Sequence, residues 1–233
     1  MARRGAGCLS VRVAAYWAPA ADDPLSAAGN AWLGRDPETG APMPQPPLEG
    51  IEAVTEEARR YGFHATLKPP MRLRPDAGWA EVREAAAAIA ARTAPFDLPP
   101  LAVSDVHGFL ALRETAPCLP LQAFADACVE HLDPFRAPPS EEELARRRHA
   151  GLTAEQNAML TRWGYPYVFG TWFFHMTLTR RVTAEERPAW LAATRAHFAG
   201  LLDHPRRVAD LCLFTQAAPD ASFVIAERLA LQS

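Results

Sequence analysis

The chain has 233 residues, 49% of them apolar, with a formal charge of −3 and a sequence pI near 6.2. That length supports one large globular domain or two closely joined lobes, and the slightly acidic balance argues against the broad basic field used to hold long nucleic acids. Cys8, Cys118, Cys128 and Cys212 have no paired spacing and read as reduced thiols of a cytoplasmic protein. No apolar stretch reaches the length of a membrane span, and no signal-peptide apolar region follows Arg3-Arg4.

In chain order, residues 11–17 read as a first strand, and 24–34 as a short helix capped by Asp22 or Asp23. The proline-rich stretch 36–50 reads as an irregular loop. A strand over 62–68 is closed by Pro69-Pro70, and the alanine-rich segment 79–93 is the clearest helix of the first half. Strands follow over 96–106 and 109–114, then a helix over 119–132. Two polar helical pieces, 141–149 and 154–163, hinge at Gly151 and have no counterpart in the first half, so they read as an insertion. A second histidine-bearing strand, a helix over 185–202 and strands over 207–215 and 222–231 complete the chain.

The pattern Phe-His-x-Thr-Leu occurs twice, as Phe63-His64-Ala65-Thr66-Leu67 and Phe174-His175-Met176-Thr177-Leu178. With a strand's period of two, His64, Thr66 and Lys68 share one face and Phe63, Ala65 and Leu67 the other. In the second copy His175, Thr177, Thr179 and Arg181 share a face, opposite Phe174, Met176 and Leu178. Two such faces across a groove supply two proton-transfer groups and several donors for an anion, which outlines a phosphodiester active site. Each half holds a histidine strand, a long helix and further strands, so the chain reads as an internal duplication of α+β type.

At these motifs the chain resembles the two-histidine (2H) phosphoesterase superfamily, whose hallmark is a pair of His-x-Thr/Ser tetrads on strands of two pseudo-symmetric lobes. Its surrounding text is similar to a bacterial DUF1045-like branch associated with phosphonate-metabolism operons. The segments that carry this are Ala31-Trp32-Leu33-Gly34-Arg35-Asp36, the stretches 60–68 and 133–138, and the stretches 162–169 and 174–179. Arg180 departs from the glycine expected in that branch and is expected to face away from the groove. The resemblance implies a bilobal, LigT-like α+β fold: two antiparallel sheets with outer helices flanking a central groove, in a single domain over 1–233.

It also implies metal-free displacement at phosphorus, with His64 and His175 as acid and base and no cofactor. Histidine suits both roles because its ordinary pKa lies near neutrality. Which histidine plays which role is left open. Thr66 and Thr177 are candidate ligands of the phosphoryl oxygens, and Lys68 and Arg181 candidate charges for the transition state. Tyr61 and Tyr167 are candidates for stacking or for hydrogen-bonding the phosphate. The basic cluster Arg146-Arg147-Arg148 reads as a solvated helix face paired i,i+4 with Glu142 and Glu143, the alternative being a lid. The expected partner is a small phosphorylated substrate, with neither membrane nor long nucleic acid. Short RNA ends are the alternative substrate, through cyclic phosphodiesterase or 2′,5′-ligase-like activity; a non-catalytic phosphometabolite-binding protein is the alternative from another class.

Overall fold

Side-chain alternation in the first strand sets the frame of the molecule. In β1 (Arg12–Trp17) Val13, Ala15 and Trp17 enter the main core, while Ala14 and Tyr16 join a smaller apolar cluster with Cys212, Phe214 and Phe223. The computed structural model describes residues 12–149 and 151–232. Cys8, Val11 and the expectations resting on the N-terminal arginines lie outside the described residues.

The described residues continue through α1 (Pro24–Leu33), α2 (Ile51–Tyr61), β2 (Ala65–Arg72), α3 (Trp79–Ala91), β3 (Phe96–Leu98), β4 (Leu101–Val106) and β5 (Phe109–Glu114). Then come α4 (Leu119–Leu132), α5 (Glu141–Arg148), α6 (Ala154–Trp163), β6 (Met176–Arg181), α7 (Arg187–His197), β7 (Arg206–Val208), β8 (Asp210–Gln216) and β9 (Val224–Ala230). Among them, no helix is long and apolar enough to cross a membrane.

Seven strands join in the order β4-β5-β6-β2-β1-β8-β9, and β3 pairs with β7 in a separate ribbon. All pairings are antiparallel. The junction of β2 with β6 is narrow, a single pair between Ala65 and Met176. It joins a three-stranded group, β4-β5-β6, to a four-stranded group, β2-β1-β8-β9. The fold is therefore α+β, with two antiparallel groups of strands meeting where the two histidine motifs lie. Helices α3 and α4 pack on the four-stranded group, and α1 and α2 pack against β6.

The expected duplication is visible in the element order, β2-α3-β3-β4-β5 against β6-α7-β7-β8-β9. The hairpins are exchanged, however. The β4–β5 hairpin of the first half pairs with β6, and the β8–β9 hairpin of the second half pairs with β1. Each group of strands is thus built from both halves of the sequence.

Several expected boundaries shift for local reasons. The segment before Gly62, unassigned from sequence, is α2, and it buries Ile51, Val54, Thr55 and Ala58 at helical spacing. Pro69-Pro70 do not end β2, which runs on to Arg72. Beyond Ala65 its β6 side carries no ladder, so the prolines lack no bond there. Pro99-Pro100 instead divide the expected strand 96–106 into β3 and β4, and Ala209 divides 207–215 into β7 and β8. Helix α7 is shorter at both ends than the expected 185–202.

Candidate active site

Each histidine immediately precedes its strand rather than lying within it. Ala65 and Met176 are fully buried and paired, so the residues flanking them turn to the opposite face. Continuing that antiparallel register sets His64 opposite Thr177 and Thr66 opposite His175, a local two-fold arrangement of two imidazoles and two hydroxyls. Phe63 anchors the first copy: its ring lies against Gly29 of α1, where a Cβ would fall 2.1 Å from the ring. Trp172 ties the approach to the second copy onto β2 by donating its indole N–H to the Thr66 carbonyl at 2.9 Å.

The two imidazoles are held alike. His64 Nδ1 lies 2.8 Å from the Gly62 carbonyl and His175 Nδ1 lies 3.2 Å from the Phe173 carbonyl, so each ring bonds the backbone two residues before it. A carbonyl only accepts, which makes Nδ1 the donor in both rings and leaves each Nε2 for other work. The Thr66 hydroxyl reaches His64 Nε2 at 3.2 Å. Gly62 adopts φ +82°, a conformation open to glycine, and a Cβ there would sit 2.9 Å from Pro37 Cβ.

Burial dominates the electrostatics. The His64 ring stacks on Tyr16 at 3.7 Å between centroids. Burial pushes its pKa down to about 4, the charges of His175 and Arg35 add to this, and the Gly62 hydrogen bond opposes it. His175 lies 4.8 Å from the Phe173 ring. Burial lowers its pKa, the Phe173 carbonyl opposes, and the Arg113 charge lowers it further. Burial also raises the hydroxyl pKa of Tyr16 and Tyr165.

A cavity of about 460 Å³ opens over this face, within the range of small-molecule sites. Tyr61, His64 and Thr66 line it from the first motif's side, and Thr177 and Arg181 from the second's. His175 is not among the residues that line it; its ring lies edge-on at 5.8 Å to Phe109, which does. Tyr61 stacks on Phe223 with centroids 5.4 Å apart. The exposed Arg181 donates to the His107 carbonyl. Among the described residues, no group of three or more His, Cys, Asp or Glu side chains is placed to hold a metal ion.

Three expectations need correction. Lys68 does not face the groove: it is 2% exposed and donates to Asp133 at 3.1 Å and to the Val129 carbonyl at 3.2 Å. The cause is a bulge. Tyr16 pairs with Thr66 but Ala15 pairs with Lys68, so the extra residue in β2 breaks the alternation and turns Lys68 to the core side with Ala15. Tyr167 stands behind Tyr165, edge-on to it at 5.7 Å and to Phe173 at 6.0 Å, and it is Tyr165 that lines the cavity. Arg180 does not face away; it lines the cavity while bound through two nitrogens to Glu186.

Tyr16, Arg12 and Tyr165, which the sequence did not single out, complete the wall, together with Arg147 of the basic cluster on α5. Tyr16 was legible only as an alternating residue of β1. Arg12 carried no local signal, and Arg147 was marked only as one of three arginines expected on a solvated helix face.

The whole chain can be set against known proteins. Over 95% of its length it is structurally similar to Escherichia coli LigT complexed with NADP+, with 98% of that chain covered, 14% identity and a TM-score of 0.45. A chain described as a phosphoesterase is similar at 14% identity and a TM-score of 0.43, covering 95% of this chain and 99% of its own. By sequence it is 37% identical to ribose 1,5-bisphosphate phosphokinase PhnN of Janthinobacterium sp. (strain Marseille), over 94% of this chain and 50% of that protein. It is 36% identical to the protein of the same name from Laribacter hongkongensis (strain HLHK9), over 91% of this chain and 50% of that one. The chain spans about half the length of the curated relatives it matches. A family described as a protein of unknown function, DUF1045, matches residues 66–224, from the threonine of the first motif through the second motif to the last hairpin, and the chain belongs to that family.

Proposed function

We propose that this chain is a metal-independent phosphoesterase that hydrolyses a small, cyclic phosphodiester by two-histidine general acid–base catalysis. The observation that carries this reading is the matched setting of the imidazoles. Each Nδ1 is bound to the carbonyl two residues back, and the Thr66 hydroxyl lies at His64 Nε2.

Burial and the nearby His175 charge both disfavour the His64 cation. In ring opening His64 is therefore the base and His175 the acid. Nε2 of His64 takes a proton from water as the water oxygen bonds to phosphorus. The opposite phosphorus–oxygen bond breaks, and Nε2–H of His175 delivers its proton to the departing ester oxygen. Thr177 donates to a non-bridging oxygen, Thr66 does so once its hydroxyl turns from His64 Nε2 to the substrate, and Arg181 adds positive charge at the rim. The bound diester anion raises both histidine pKa values, which keeps a proton on His175 in the complex.

The matched segment is half of proteins named for a kinase of ribose 1,5-bisphosphate. That supports a phosphorylated sugar as the substrate and a role in phosphonate or phosphoribosyl metabolism. The test is hydrolysis of nucleoside 2′,3′-cyclic phosphates and ribose cyclic phosphates with EDTA present, followed by phosphorus NMR. Ring opening should proceed in EDTA and fall by about 10²–10⁴-fold in His64→Ala and in His175→Ala. Full activity in both variants, or loss of activity in EDTA alone, would sink the proposal.

A further inference from the structure

Of the four arginines that line the cavity, Arg12, Arg147 and Arg181 make no ion pair with a carboxylate among the described residues. Arg12 and Arg147 belong to the same end of it. Arg12 shares the face of β1 with Tyr16 but stands four residues away, about 13 Å along the strand at ~3.3 Å per residue. In the ladder it lies opposite Arg72, and Arg72 binds Glu143 of α5 at 3.0 Å. Glu143 and Arg147 are four residues apart on α5 and so share a helix face. The Arg72 tether therefore turns Arg147 toward the Arg12 end. It also replaces the i,i+4 partner expected for Arg147 from sequence.

Both guanidinium groups are held in place. Arg12 donates from Nε to Gln216 Oε1 at 2.6 Å and lies over the Phe223 ring at 5.2 Å. Gln216 is 2% exposed, and its own amide nitrogen is committed to the Ala221 and Pro219 carbonyls. Its oxygen is thereby fixed toward Arg12, whose two terminal nitrogens bond no other described residue. Arg147 lies over the Tyr165 ring at 4.8 Å and is half-buried, whereas its neighbours Arg146 and Arg148 are exposed. Pre-positioned arginines without carboxylates suit a bidentate anion, because little side-chain freedom is lost on binding. The opposite end differs: Arg180 is neutralised by Glu186, and Arg181 is bound to a backbone carbonyl.

We infer that Arg12 and Arg147 form a second anion subsite, which takes a phosphate carried by the substrate at the far side of its sugar from the reacting diester. The ligand class is thus a phosphorylated pentose bearing two phosphorus centres, one at the histidine pair and one at the arginines. Tyr16, stacked on His64, lines the cavity at the first position, and Tyr165, under Arg147, lines it at the second. This rests on the reading of the cavity as a phosphodiester site and adds its specificity.

The stable ring-opened compounds adenosine 2′-monophosphate and adenosine 2′,5′-bisphosphate are the probes, titrated calorimetrically into the purified protein at one fixed salt concentration. Charge-assisted contacts to the second phosphate should make the bisphosphate bind at least about tenfold more tightly. That ratio should collapse toward one in the Arg12→Gln/Arg147→Gln double variant and shrink in Arg147→Gln alone, a change on a largely exposed helix. Equal affinities in the wild type, or a ratio that survives both variants, would overturn the second subsite and leave the histidine site standing. Binding of neither nucleotide would overturn the phosphate reading of the whole cavity, and the subsite with it.

Discussion

His64 and His175 are the same side chain in two fields, and the difference governs how the site titrates. Burial lowers both, His64 to about 4 from an ordinary value of 6.5. The base must be neutral and the acid charged, so activity requires a pH above the His64 value and below that of His175. The kcat/KM profile of the free enzyme should accordingly be bell-shaped, rising through about 4 with His64 and falling on the acid side of an ordinary histidine as His175 loses its proton. Initial rates on a cyclic phosphate across that range check this, and a plateau that continues to alkaline pH would contradict the assignment. The histidines and threonines could be read from sequence because each motif is local: a strand's period of two already sets His and Thr apart from Phe and Leu. Tyr16 escapes such a reading, since its stacking on His64 depends on the pairing of β1 with β2.

At the scale of the element, β2 shows where periodicity fails. The bulge after Thr66 turns Lys68 into a buried group paired with Asp133. Burial pulls the Asp133 carboxyl up, but the Arg136 hydrogen bond and the Lys68 charge outweigh it and hold the pKa below the usual carboxylate range. Burial lowers the Lys68 pKa, opposed by Asp133. Lys68→Met keeps the length of the chain and removes the ammonium, while Asp133 retains Arg136. It should lower unfolding stability by about 1–3 kcal/mol and leave kcat near the wild-type value. Urea melts paired with turnover measurements separate this from a phosphate-ligand role, which would reduce kcat/KM while sparing stability.

At the scale of the molecule, the exchanged hairpins decide how the protein holds together. Because each group of strands draws on both halves of the sequence, neither half can complete its own sheet. Unfolding should therefore be one cooperative transition, with far-UV circular dichroism and tryptophan fluorescence coincident in urea. Two separated transitions would mean independently stable lobes. The midpoint should also depend on pH in a direction set by the histidines. A folded-state pKa below the unfolded one means that the unfolded chain binds more protons, so the stability is present above about 6.5 and is lost as pH falls through about 4. His64→Asn should flatten that slope.

What the sequence by itself determined was local: the two pentapeptides, the apolar side of each strand, the helices with caps and alanine-rich cores, and the polar helical pair α5 and α6. These follow from periods of two and 3.6 and from capping chemistry acting within a few residues. The tertiary structure alone decided which hairpin joins which histidine strand, where β2 slips its register, and which arginines reach the cavity. Those outcomes rest on pairings between residues far apart in the chain, such as Arg12 with Gln216 and Arg72 with Glu143. No local periodicity encodes a partner that distant, and the shape and charge of the cavity are made of such partners.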